Sequence, residues 1–270
     1  MLRNVLKLIC SLFLLPGTVL AQDFMLEDVN GDGLISYLGF GDSITFGVGD
    51  GTEPGDFVVV SPSTDGSAGY IPRLAQLTGL MVDNSGVPGE ELTRGGIQRL
   101  PNVMLTTSAD IVGFFEGAND AVFRVSTTDF RRSLQRAINV MLALNKKPLL
   151  MTIPPPCCDR ASLAFFTTAY NTIIRDRAYV NDLPVADLER AWFSTCNDIN
   201  FCDLFNVPEG LHPNSKGYDV IAQTVAASLF GVDIFSLSGA AELESVLGLE
   251  EGTIIVVPDE EPGELEESQS

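Results

Sequence analysis

Basic residues are scarce in this chain. Sixteen Lys and Arg stand against 36 Asp and Glu, the formal charge is −20, and no basic residue follows Lys216. Such a chain repels polyanions, which argues against nucleic acid or an anionic membrane surface as a partner. Histidine is scarcer still. There is one, His212, so any imidazole chemistry rests on that position. Long apolar runs are missing after the N-terminus, and none approaches a membrane span. Aromatic residues make up 8% of the 270 residues and hydrophobic residues 45%. That composition suits one globular domain with a sizeable core, plus extras at the ends.

The N-terminal extra reads as a secretory signal peptide over residues 1–21. Arg3 and Lys7 precede the apolar run Leu8–Leu15, and Val19-Leu20-Ala21 offers a small-residue cleavage site before Gln22. Cleavage there predicts a mature chain of formal charge −22, exported to the periplasm or the medium. At the other end, the 29 residues from Glu242 hold ten acids. The stretch 258–270 reads as a disordered acidic tail and 236–257 as a C-terminal extension with the makings of a helix (240–247) and a strand (253–257). The remaining 22–235 is the expected catalytic domain.

Four cysteines stay in the mature chain: Cys157, Cys158, Cys196 and Cys202. An even count in an exported protein points to disulfides. Sequence neighbours bond to each other only with strain, so Cys157 and Cys158 are each expected to reach Cys196 or Cys202. Their spacing does not match usual zinc ligand sets, and no metal is expected there.

Apolar and helical stretches alternate. Strands are expected over 34–39, 80–84, 111–115, 148–153 and 183–188. Helices are expected over 70–77, 91–105, 129–145, 161–180 and 213–230. Such alternation implies right-handed crossovers and a parallel sheet covered on both faces, with ligands beyond the carboxyl ends of the strands. Polar residues cluster at those ends: Ser43 after the first strand, Asn84 to Gly89 after the second, Asn119 after the third. Residues 48–67 read as a long loop able to shape access to such a site. Before the first strand, Asp28-Val29-Asn30-Gly31-Asp32-Gly33 reads either as an acidic turn or as the first half of a calcium loop, with Gly39 where the full loop needs a bidentate Glu.

The chain is organised around Phe40-Gly41-Asp42-Ser43-Ile44-Thr45-Phe46-Gly47. A serine just past a strand, between glycines, can be held out of the sheet with its hydroxyl exposed, as a nucleophile turn requires. A hydroxyl also needs a base close by. His212 stands at the mouth of the last helix, with Glu209 three residues before it and able to fix its tautomer. Asp203 is the fallback for that acid, and a Ser–His dyad helped by a backbone carbonyl is another arrangement. Asp42 is expected to brace the turn.

Four segments occur in order: Gly41-Asp42-Ser43, Asn84-x-Gly86-x-x-Gly89, Gly117-x-Asn119-Asp120 and acid-x-x-His212-Pro213. With them the chain resembles the SGNH (GDSL-type) serine hydrolases over residues 41–213. The resemblance implies a three-layer α/β/α, flavodoxin-like fold with a five-stranded parallel sheet. It implies Ser43 as nucleophile, His212 as base, and an oxyanion hole of the Ser43 and Gly89 amides and the Asn119 side chain. The family usually places Asp where this chain has Glu209, which makes the orienting acid one methylene longer. No metal or organic cofactor is required by this chemistry. The implied activity is ester hydrolysis on a small-molecule, lipid or carbohydrate ester, with short to medium acyl esters favoured and carbohydrate O-deacetylation as the alternative. A non-catalytic binding protein on the same fold is the reading from another class.

Overall fold

The computed structural model describes residues 25–50, 68–196, 198–199 and 202–256. The expected signal peptide, most of the 48–67 loop and the acidic tail lie outside the described residues. Five strands pair in parallel: β1 (Ser36–Gly41), β2 (Met81–Gly86), β3 (Ile111–Phe115), β4 (Lys147–Met151) and β5 (Val185–Ala186), in the order β2-β1-β3-β4-β5. Every residue of β3 and β4 is buried, as a parallel sheet covered on both faces requires. The edge strand β2 is the exception, with half of its positions exposed.

The helices are α1 (Ser43–Phe46), α2 (Tyr70–Thr78), α3 (Ile97–Thr106), α4 (Ala118–Val122), α5 (Thr127–Ala143), α6 (Ala164–Asn181), α7 (Leu188–Thr195), α8 (Ser215–Phe230) and α9 (Gly239–Leu247). α5 packs between α3 and α6, and α2 packs on α8. The buried side chains of α5 recur at helical spacing, Phe130, Leu134, Ala137, Ile138 and Met141, while Leu142 is exposed. The strand order places β1 between β2 and β3. The three polar clusters that follow these strands therefore come out side by side.

Three short helices, α1, α4 and α7, escape the pattern reading because each is too short to show a helical period. They begin two or three residues after β1, β3 and β5 end, and Asp42 and Asp187 cap two of them. The cap at Asp187 also explains why the strand expected over 183–188 shrinks to two residues. Its carboxylate accepts from the Arg190 amide at 3.2 Å and from Arg175 Nη2 at 2.6 Å, so the chain turns helical there. The helix expected from Glu91 begins instead as a π-helical turn (Leu92–Gly96), whose Leu92 and Thr93 amides donate to Asp120.

The C-terminal extension packs on the domain. Leu243 of α9 is fully buried, and Ile254 and Val256 beyond it are buried too. The strand expected over 253–257 does not form across its described residues. Its amides are taken by side chains instead: Ile254 N–H donates to Glu244 Oε1 and Ile255 N–H to Gln223 Oε1, both at 2.9 Å.

Candidate active site

Gly41 ends β1, and a Cβ there would run into the Phe115 carbonyl and Thr45 Oγ1. The close approach of β3 and α1 therefore needs glycine. Asp42 follows and caps α1 by accepting from the Ile44 amide at 2.9 Å, which turns Ser43 out of the sheet line into the first position of the helix. The expectation that Asp42 braces the turn agrees with this geometry.

His212 arrives from the far end of the chain. Asn206 holds the two segments together, its Nδ2 donating to the Gly49 carbonyl at 2.8 Å and to the Pro213 carbonyl at 2.9 Å. His212 Nε2 lies 2.9 Å from Ser43 Oγ. Glu209 Oε2 lies 3.3 Å from His212 Nδ1. Nδ1 makes no hydrogen bond there, so the contact is electrostatic. The same oxygen accepts from the Leu211 amide at 2.8 Å and the His212 amide at 2.9 Å. Burial raises the Glu209 pKa, but His212 and these amides outweigh it and hold the carboxyl down at about 2.

The fallback acid is placed elsewhere. Asp203 pairs with Lys216 in the open, its side chain 62% exposed. Of the two candidate acids, the fold brings Glu209 to the histidine.

The residues expected to form an oxyanion hole come from neighbouring strand ends. Val87 N–H donates to the Gly41 carbonyl at 2.9 Å, which ties the turn carrying Gly89 to the end of β1. Gly89 has φ +80°, a backbone conformation open to glycine. Asn119, in α4, donates from Nδ2 to Asp42 Oδ2 at 3.3 Å, so its amide stands against the residue next to Ser43.

Behind this side lies a buried acidic group that the sequence does not advertise. Asp42 is buried and its pKa is pushed up to about 7; burial is the main cause, opposed by the Ile44 amide and His212 and reinforced by Asp120 and Glu90. Glu116 is buried with neither oxygen bonded to a donor among the described residues, and burial followed by the Asp42 and Glu90 charges raises its pKa. Arg99 is the cation here. It pairs with Glu90 at 2.6 Å, donates to Ser85 Oγ at 2.6 Å, and lies 4.0 Å over the Phe40 ring.

Two further expectations fall on residues away from Ser43 and His212. Cys196 bonds to Cys202, with neither reaching Cys157 or Cys158. The expected long-range staple is therefore a short local one that closes the turn after α7. In the 28–33 turn, the carboxylates of Asp28 and Asp32 and the Asn30 side chain accept from the turn's own amides, and Gly39 is inside β1. Those bonds are the ones an acidic turn makes. Among the described residues no group of three or more His, Cys, Asp or Glu could hold a metal ion. A cavity of about 370 Å³, lined by Met25, Glu27, Lys147 and Leu183, opens at the amino ends of the strands, away from the triad.

A hydroxyl against an imidazole with a carboxylate behind the ring, beside amide donors at adjoining strand ends, suits nucleophilic acyl transfer. The comparisons with known proteins decide the family. The GDSL-like lipase/acylhydrolase family matches residues 40–220, two thirds of the chain. The chain belongs to that family. This GDSL-like protein is accordingly a carboxylic ester hydrolase.

Solved structures share the fold of this GDSL-like hydrolase. A lipase/acylhydrolase from Enterococcus faecalis is 25% identical, with 71% of this chain and 93% of that one covered and a TM-score of 0.56. A G-D-S-L family lipolytic protein from Desulfitobacterium hafniense is 17% identical, with 70% and 97% covered and a TM-score of 0.57. An acetylxylan esterase from Geobacillus stearothermophilus is 18% identical, with 72% and 94% covered and a TM-score of 0.58. None of the curated proteins compared matches the chain.

The sequence reading missed Asn206 and Arg99. Neither belongs to a motif, and each acts by joining segments far apart in the chain. An unexplained asparagine six residues before His212 was the available signal. Among the described residues, no helix is long and apolar enough to cross a membrane.

Proposed function

We propose that this protein is an exported serine esterase acting through an acyl-enzyme on Ser43. The observation that carries the reading is the 2.9 Å approach of His212 Nε2 to Ser43 Oγ, with Glu209 behind the ring. His212 takes the hydroxyl proton at Nε2 as Ser43 Oγ attacks the ester carbonyl. Glu209, ionised at neutral pH, stabilises the imidazolium and holds Nδ1 as its proton-bearing nitrogen. The Ser43 and Gly89 amides and the Asn119 side chain receive the developing oxyanion. Asp42 takes one Asn119 amide hydrogen and leaves the other for that role. His212 then protonates the leaving alcohol, and water attacks the acyl-enzyme by the reverse route.

Short to medium acyl esters are the favoured substrates. Val87, Phe123 and Phe165, on segments that follow β2, β3 and β4, are exposed apolar side chains on the strand-end side where the serine lies. They suit an acyl chain better than a bare sugar surface. Export is supported by the N-terminal sequence pattern and by the Cys196–Cys202 bridge, which suits an oxidising compartment.

The test is hydrolysis of p-nitrophenyl esters from acetate to palmitate, run beside a panel of acetylated sugars. A kcat/KM maximum at short to medium chains supports this reading. Cleavage confined to acetate and acetylated sugars would replace it with carbohydrate O-deacetylation, the activity named for the Geobacillus neighbour. A folded protein inert on every ester and unlabelled by a fluorophosphonate would leave only a binding role.

A further inference from the structure

With Cys196 and Cys202 paired to each other, Cys157 and Cys158 are left together. Their Sγ atoms are 2.6 Å apart, inside the roughly 3.5–4.0 Å at which unbonded heavy atoms rest. Cys158 has φ +55°, a left-handed conformation that few non-glycine residues adopt. Cys157 is fully buried, whereas Cys158 is half-buried.

The segment these cysteines begin is the one that braces the catalytic acid. Cys157 N–H donates to the Gly210 carbonyl at 2.9 Å, and Asp159 N–H donates to the Pro208 carbonyl at 3.0 Å. Two backbone bonds thus flank Glu209. Arg160 Nε adds a third contact, 3.5 Å from Glu209 Oε1. Gly210 lies so tight on Cys157 that a Cβ there would sit 2.9 Å from Cys157 Sγ. The conformation of 157–160 and the position of Glu209 are therefore set together.

We propose that Cys157 and Cys158 close a vicinal disulfide, a covalent ring that locks the brace behind Glu209 and that thiols can open. Its formation consumes one external disulfide. The Cys158 thiolate attacks a sulfur of an oxidised dithiol protein or a small-molecule disulfide, giving a mixed disulfide and releasing one thiolate. Cys157, losing its proton, attacks Cys158 Sγ and releases the second. Two cysteine thiols are oxidised, one external disulfide is reduced to two thiols, and the chain loses two hydrogens. Half-buried Cys158 suits the first attack. Cys157 suits the second, since its Sγ already lies against Cys158 Sγ and the attack is intramolecular, which offsets the raised pKa that burial gives its thiol. A trans peptide holds neighbouring Cα atoms about 3.8 Å apart, below the usual ~4.4–6.8 Å span of a disulfide. The ring is accordingly the more reducible of the two bridges.

The ring stands apart from the proposed hydrolytic mechanism, but its bracing role rests on Glu209 acting as proposed. The experiment reads the two separately. Mature protein folded in a glutathione redox buffer is denatured in iodoacetamide without reductant and mapped by mass spectrometry. The expected result is no alkylated cysteine, with the peptide holding Cys157 and Cys158 two hydrogens lighter than its dithiol form. Alkylation of either residue, or a link to Cys196 or Cys202, overturns the ring. Graded phosphine reduction should expose Cys157 and Cys158 to alkylation before Cys196 and Cys202; the reverse order overturns its lability. Opening the ring alone should lower kcat on a p-nitrophenyl ester roughly tenfold with KM held, and reoxidation should restore it. Cys158→Ser should match the opened enzyme and ignore reductant. Unchanged kcat on opening, in an active enzyme, overturns the bracing role. A protein without esterase activity overturns the hydrolytic reading and leaves the mass map to judge the ring.

Discussion

Two groups of carboxylates flank the Ser43–His212 pair, and they are held in opposite states. Glu209 lies beside the imidazole, where amides and a ring nitrogen converge on it, and its carboxyl is held at about 2. Asp42, next to the serine, and Glu116, whose charge interacts with Asp42, are more deeply buried, and their pKa values are raised, that of Asp42 to about 7. Both groups are desolvated, so burial alone does not separate them. The balance of burial and donors does. Glu209 Oε2 receives two backbone amides and faces His212, Asp42 is buried deeply enough to be raised although the Ile44 amide and Asn119 donate to it, and Glu116 meets no donor among the described residues. One side is built to keep a charge next to the base, the other to surround the nucleophile turn without adding a full charge to it.

The largest effect comes from removing the group both sides serve. Ser43→Ala should lower kcat by roughly 10⁵–10⁶ and abolish labelling by a fluorophosphonate, measured on the best p-nitrophenyl ester. Next is the charged side. Glu209→Gln keeps the shape but loses the charge and the acceptor, and kcat should fall by about 10²–10⁴. Asp203→Asn, placed on a surface ion pair, should leave kcat within about twofold. Equal losses in these two variants would erase the distinction between the candidate acids. On the buried side, Asn119→Ala removes the amide that donates to Asp42, and kcat should fall about 10²–10³ with little change in KM. A KM effect without a kcat effect would make Asn119 a substrate contact instead of an oxyanion donor.

Legibility in the chain followed the range of the interaction. The five parallel strands and the long helices α5, α6 and α8 were readable because their signals lie within a dozen neighbouring residues. Ser43 and Asn119 were readable because they stand in motifs at strand ends, and His212 because it is the one histidine and stands in a motif before the last helix. Glu209 was separable from Asp203 only once the turn had brought its carboxylate to the imidazole. The cysteine pairing was read wrongly. The rule that adjacent cysteines avoid each other is a statement about strain, and it says nothing of where Cys196 and Cys202 lie relative to each other. Glu116 and Arg99 were invisible for a related reason: a buried charge is defined by what surrounds it. Asp42 was legible as a turn brace, but the Asp120 and Glu90 charges that help raise its pKa come from other loops.

The smallest effect is also the one that tests the comparison most directly, since it should reverse sign between the two sides. Glu116 has a raised pKa in the fold, so the native state holds its proton more tightly than the unfolded chain does. Stability from that proton is complete below the ordinary value of 4.5 and is lost as pH rises toward the raised one. Glu209 works the other way: its contribution is present above 4.5 and is lost as pH falls toward about 2. Glu116→Gln carries a neutral group at every pH. Its Tm should exceed that of the parent by roughly 2–4 °C at pH 8, where the parent strains to keep or lose the proton, and by nothing at pH 5. Glu209→Gln should instead be the less stable protein at pH 8, and its deficit should shrink on acidification. A Tm difference for Glu116→Gln that is the same at both pH values would mean that the buried carboxyl does not titrate in this window, and the two sides would then differ in burial alone.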